Sequence, residues 1–140
     1  MADLRLVIDV PRQWWLTSNR HIINRPHRAS IIRNLHSIAA AEAIRARLPR
    51  ITERVDAYWT VQYPKGVRLD KGEASNAQPT TKALLDGLCP HILPDDGPPH
   101  VRSERFERGP NLTVQGVHRI ALRLSPVADS LPTQQTREEG

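Results

Sequence analysis

The stretch Val55-Asp-Ala-Tyr-Trp-Thr-Val-Gln-Tyr63 alternates without interruption. Val55, Ala57, Trp59, Val61 and Tyr63 fall on one side; Asp56, Tyr58, Thr60 and Gln62 fall on the other. Side chains of an extended chain point alternately to opposite faces, so this pattern predicts a strand with one buried face. Two further segments share the period. Leu4, Leu6, Ile8 and Val10 alternate with Arg5, Val7 and Asp9, and His118, Ile120, Leu122 and Leu124 alternate with Val117, Arg119, Ala121 and Arg123. Residues 100–107 are a weaker candidate strand.

Between these segments the period changes. Residues 28–48 carry Ile31, Ile32, Leu35, Ile38, Ala39 and Ala43 at steps of three and four, with no internal Gly or Pro. That spacing predicts a long helix with one apolar stripe, stopped by Pro49. Pro79 suits the first residue of a second helix, whose face is Ala83, Leu84, Leu85 and Leu88. Residues 11–27, 64–78 and 89–99 read as loops. The order β-α-β-α-β-β predicts an α/β (α+β) domain: a small mixed sheet with about two helices packed on it, over residues 1–125. The polar segment 126–140, ending Arg-Glu-Glu-Gly, is expected to be a disordered tail.

The 140 residues suffice for one core and not for two. No apolar run is long enough to cross a bilayer, and the start lacks the plan of a signal peptide. Cys89 is the single cysteine, so no internal disulfide forms, which suits a soluble cytoplasmic protein. The net charge is +5, and all the lysine is Lys65, Lys71 and Lys82; the rest of the base is arginine, whose planar fork of donors matches phosphate. The charge is uneven. Residues 1–50 hold nine arginines against Asp3, Asp9 and Glu42, whereas residues 51–100 hold five bases against seven acids. A basic half beside an acidic middle suits a protein that holds phosphate on one surface and cations on another.

The acidic middle contains Glu73-Ala-Ser-Asn76-Ala-Gln-Pro79-Thr80-Thr-Lys82-Ala-Leu-Leu-Asp86-Gly87-Leu88, followed by Leu93-Pro94-Asp95-Asp96. An acid precedes a helix, a lysine lies on it, and an acid pair follows in the next loop. Converging carboxylates hold Mg²⁺ well, because that ion prefers oxygen ligands and keeps several waters. A metal so held polarises a phosphodiester and activates water, and a nearby lysine stabilises the charge that develops. On chemistry alone, solvated loop acids and a Pro-Asp-Asp turn explain the same residues.

The gapped pattern resembles the RusA-type Holliday junction resolvases, in particular their phage-like branch, which reads Asp-x-x-Asn, Pro-Thr-x-Lys, Asp-Gly-Leu and Leu-Pro-Asp-Asp. Asn76, Pro79-Thr80, Lys82, Asp86-Gly87-Leu88 and Leu93-Pro94-Asp95-Asp96 follow it in order. Leu16-Thr17-Ser18-Asn19 before the arginine-rich helix, and Gly116-Val117-His118-Arg119 before the last strand, also fit, so the likeness spans roughly residues 4–124. The resemblance implies a homodimeric, Mg²⁺-dependent endodeoxyribonuclease, with Mn²⁺ as a substitute, that cuts four-way DNA junctions in recombination and repair. It implies Glu73, Asp95 and Asp96 as metal ligands, with Glu73, Asp96, Lys82 and Asn76 as the catalytic set. Ser75 stands where well-studied members carry a second acid, and Asp70 lies nearby. A relative that binds branched DNA without cutting it is therefore the alternative expectation.

Arg20, Arg25, Arg28 and Arg33, with Lys71, are candidates for phosphate contact, or else form a solvated surface. Trp14 and Trp15 are read as packing residues rather than as wedges in a junction, and Trp59 as core. Cys89, His91 and His100 match no standard zinc spacing.

Overall fold

The computed structural model describes residues 2–19, 22 and 24–127. It contains β1 (Leu4–Pro11), a 3-10 turn (Arg12–Trp14), α1 (Arg25–Arg45), β2 (Val55–Gln62), a 3-10 turn (Ala74–Ala77), α2 (Gln78–Gly87), β3 (Val101–Arg108) and β4 (Val117–Pro126). The expected mixed sheet with two helices is what forms. A disordered tail was expected over 126–140; Pro126 instead ends β4, and residues 128–140 lie outside the described residues.

The four strands lie in the order β1-β4-β2-β3. β4 runs antiparallel to both β1 and β2, while β3 runs parallel to β2. The alternation in the sequence sets which row is buried. Leu6, Ile8 and Val10 of β1, Val55, Ala57, Trp59 and Val61 of β2, and Ile120, Leu122 and Leu124 of β4 form one face of the core. Ile31, Leu35, Ala39 and Ala43 of α1 and Ala83, Leu84 and Leu85 of α2 close over it. Each large aliphatic so buried contributes about 1.5–3 kcal/mol relative to exposure. Among the described residues no helix covers the opposite rows of the sheet. There Val7 is 53% exposed.

Several element boundaries differ from the sequence reading. α1 begins at Arg25, not residue 28, and ends at Arg45, not residue 48. Asn24 Oδ1 caps the helix by accepting from the His27 amide at 2.9 Å, and Pro26 falls in the first turn, where a missing N–H costs nothing. At the other end Arg47 adopts φ 55°, its N–H donates to Ile44 O, and the Leu48 N–H donates to Ala43 O. This paired closure ends the helix four residues before Pro49. α2 also starts slightly early, at Gln78 with Pro79 in its first turn.

α1 and α2 cross closely at Gly87. A Cβ there would stand 2.6 Å from the His36 carbonyl oxygen, so no side chain fits. Among the described residues no helix is long and apolar enough to cross a membrane.

Candidate functional site

α2 begins where Thr80, fully buried, ties it to the chain after β1. Its hydroxyl donates to Leu16 O at 2.7 Å and accepts from the Leu16 amide at 2.8 Å. On the exposed side of the same helix Lys82 and Asp86 stand four residues apart, so their side chains meet: Nζ to Oδ1 is 3.0 Å. The order is the less favourable one for a helix, since a carboxylate near the C-terminus opposes the macrodipole. Asp86 therefore needs another reason to be there.

That reason lies in the loop after α2. Ile92 and Leu93 are buried, and both donate backbone N–H groups to Leu88 O. The Ile51 amide binds Ile92 O at 2.7 Å. Anchored at these points, the loop turns back and places Asp96 Oδ2 2.5 Å from Lys82 Nζ. One ammonium thus joins two carboxylates from α2 and the following loop. Asp86 and Asp96 also bear on one another. Burial first, and then its hydrogen bond with Asp96, raise the Asp86 carboxyl above its ordinary value. The hydrogen bond with Asp86, followed by that with Lys82, holds Asp96 below its own. Hydrogen bonds to the same two acids keep Lys82 charged, raised above an ordinary lysine.

Glu73 lies elsewhere. It precedes the 3-10 turn 74–77; its carboxylate accepts from Ser75 Oγ at 2.9 Å, and its carbonyl accepts from Tyr63 Oη at 2.9 Å. With Asp70, Gly72 and Arg108 it lines a separate open hollow. Asp70 itself pairs with Arg68 at 2.9 Å. Asn76 contributes backbone: its N–H donates to Glu73 O and its carbonyl accepts from the Ser18 amide. The structure therefore gathers Lys82, Asp96 and Asp86, and sets Glu73 apart with Ser75. Among the described residues no three His, Cys, Asp or Glu side chains are grouped to hold a metal. Asp86 completes the cluster in a way the sequence reading missed, although its four-residue step from Lys82 was visible.

No protein-family model and no curated protein matches this chain.

Mg²⁺ takes hard oxygen ligands, and the Asp86–Asp96 pair is chemically suited to it: two crowded carboxylates already share one cationic group. The fit is confined to that pair, with Glu73 outside it.

Of the proposed phosphate contacts, Arg25 and Arg28 lie in the first turn of α1 and Arg33 is exposed on its third, while Lys71 is exposed beside the Glu73 hollow. Arg20 lies outside the described residues. Trp15 stacks on His118, with ring centroids 3.8 Å apart and planes 5° apart. Trp59 is buried, its indole N–H donating to Glu104 Oε2 at 2.9 Å. Both behave as packing residues. Cys89 is half-buried, and burial pushes its thiol up to about 11, so it is neither a ready nucleophile nor a ready ligand.

Proposed function

We propose that the chain is a Mg²⁺-dependent, structure-selective endodeoxyribonuclease of the RusA type, acting on Holliday junctions and similar branched DNA in recombination and repair. The observation that supports this reading most is the meeting of Lys82, Asp86 and Asp96. These three residues belong to the gapped motif, and their meeting across 14 residues brings together two carboxylates and an ammonium, the groups that metal-assisted phosphodiester cleavage uses. Mg²⁺, or Mn²⁺ in its place, bound at Asp86 and Asp96 would supply a Lewis acid and an activated water. Lys82 offers its ammonium to the charge that develops on the phosphate, and Asp96 holds that ammonium in place. Asp95, next to Asp96, is a further candidate ligand, while Glu73, held by Ser75, and Asn76 stand before α2 outside the Asp86–Asp96 pair. Arg25, Arg28, Arg33 and Lys71, with Arg20, supply phosphate contacts.

Two opposed nicks require two sites related by a two-fold axis, so the working form in this reading is a homodimer. A lone thiol suits the reducing cytoplasm in which such an enzyme would act.

The test is direct. Full-length protein with a labelled four-way junction and Mg²⁺ should give paired nicks that EDTA and Asp96→Asn abolish. A second reading is favoured by one observation: the Glu73 carboxylate is engaged by Ser75 rather than by the Asp86–Asp96 pair. In that reading the protein holds branched DNA without cutting it. Tight junction binding with no nicks in Mg²⁺ or Mn²⁺ decides for it; neither binding nor nicking overturns both.

A further inference from the structure

The face of the sheet that carries no helix has an unusual row of side chains. Arg5 pairs with Arg123 across β1 and β4, Arg123 pairs with Tyr58 across β4 and β2, and Tyr58 pairs with Arg105 across β2 and β3. One straight rung thus reads Arg5–Arg123–Tyr58–Arg105 over all four strands. At the usual spacing between strands it spans about 14 Å. It crosses the floor of an open hollow of ≈ 520 Å³.

Like charges directly opposite one another destabilise a sheet. Three guanidinium groups in one rung therefore need compensation, and the fold provides only part of it. Arg123 pairs with Asp3 at 3.2 Å and lies over the Tyr58 ring at 4.0 Å. Arg5 and Arg105 are exposed, and among the described residues neither makes an ion pair at contact distance. Asp3 feels Arg5, and Asp56 feels Arg105, only at longer range. Asp56 is committed instead to Arg102 and Ser103. In the neighbouring rung Val7, Ala121 and Thr60 are uncharged, and Glu107 is the single acid.

We infer that this open face is a second nucleic-acid site, binding a phosphodiester strand laid along the Arg5–Arg123–Tyr58–Arg105 rung. Charge complementarity selects the occupant. Arg5 and Arg105 take phosphates, and the Tyr58–Arg123 stack offers a flat surface to a base. The site lies on the opposite side of the sheet from α2, so it does not depend on the nuclease reading and holds for a protein that never cuts.

The test uses full-length protein and a fluorescein-labelled oligo-dT 20-mer, followed by anisotropy over a range of salt. Arg5→Ser/Arg105→Ser should weaken binding at least about tenfold and reduce the log–log salt slope by about 1.4, two lost contacts at roughly 0.7 each on a single strand. Arg47→Asn/Lys65→Gln removes the same charge away from this face and should change affinity less than twofold. Tyr58→Leu, which keeps the arginines, should weaken binding severalfold with the slope unchanged. Equal losses in the two double variants would overturn the proposal, because only net charge would matter. So would unchanged oligonucleotide binding. A shift of Arg5→Ser/Arg105→Ser from dimer to monomer in sedimentation, with oligonucleotide affinity intact, would assign the face to a second copy of the chain instead.

Discussion

Lys82 Nζ lies 2.5 Å from Asp96 Oδ2, a contact that fastens the second turn of α2 to the loop before β3. The same ammonium holds Asp86 at 3.0 Å, so it stands between two carboxylates that would otherwise repel. Lys82→Met should lower stability by about 1 kcal/mol at pH 7, the scale of a partly exposed ion pair. The loss should shrink in acid, beginning above the ordinary aspartate range, because Asp86, whose carboxyl is raised, takes its proton first. If Asp86 and Asp96 are also the metal pair, the variant should lose junction cleavage at least 100-fold yet gain a larger Mg²⁺-dependent rise in Tm, because the competing ammonium is gone. Melting curves with and without Mg²⁺ check both parts. A Tm response to Mg²⁺ no larger than that of the unaltered protein counts against these two aspartates as ligands.

At Gly87 the two helices pack too closely for a side chain. A methyl group there would meet the His36 carbonyl oxygen at 2.6 Å and the His36 Cα at 2.8 Å, both backbone atoms that cannot rotate away. Gly87→Ala gains helix propensity, worth about 1 kcal/mol, but overpacking of this kind costs about 1–3 kcal/mol. The clash should prevail, and urea denaturation should show a net loss. A stabilised variant would mean that the helices separate cheaply at this crossing.

How much of this was legible in the sequence depends on whether each contact is local. β1, β2 and β4 declare themselves because each has one buried and one open row, and alternation records that directly. β3 is harder to read: in Arg102-Ser-Glu-Arg-Phe-Glu-Arg108 charge occupies both rows, as suits an edge strand, and only Val101 is buried. Its parallel pairing with β2 depends on the path of the chain through α2, which no local pattern encodes. The start of α1 is hidden because Pro26 and Asn24 also occur in loops; only a cap geometry shows them opening a helix. The site follows the same rule. Lys82 and Asp86 are legible as one turn of helix. The return of Asp96 depends on the buried anchors Ile92 and Leu93. Glu73 was expected beside it, but its own neighbour Ser75 supplies a nearer partner.

Asp56 shows what a buried carboxylate on β2 requires. It is 7% exposed and accepts from Arg102 Nε at 3.0 Å, Arg102 Nη2 at 2.6 Å and Ser103 Oγ at 2.7 Å. The Arg102 hydrogen bonds, reinforced by Ser103, outweigh burial and hold its carboxyl below the ordinary 3.8. A depressed carboxyl stabilises the fold above its unfolded value and loses that contribution as pH falls through its folded value. Asp56→Asn should therefore cost about 1–3 kcal/mol at pH 7, with the difference from the unaltered protein closing below pH 4. Paired urea titrations at pH 7 and pH 3 read this directly, and a gap of the same size at both would show that shape rather than charge is what Asp56 supplies.

His118 is a base rather than an acid, and it too makes the fold less stable in acid. It is buried at 6% exposure against Trp15 and Tyr63, its Nδ1 finds no hydrogen-bond partner among the described residues, and burial pushes its pKa down to about 4. The folded state therefore keeps the imidazole neutral, whereas the unfolded chain takes a proton near 6.5. Between those two values the unfolded state binds more protons, so stability falls as pH drops from 6.5 toward 4, by up to roughly 3 kcal/mol. Above 6.5 the residue adds no pH dependence. His118→Phe keeps an aromatic ring on Trp15 and removes the titration. Its ΔG of unfolding should stay nearly flat from pH 6.5 to 5, where the unaltered protein declines, before the Asp56 contribution begins to fade in both. A decline of equal slope in the two proteins would place the acid sensitivity in some other group.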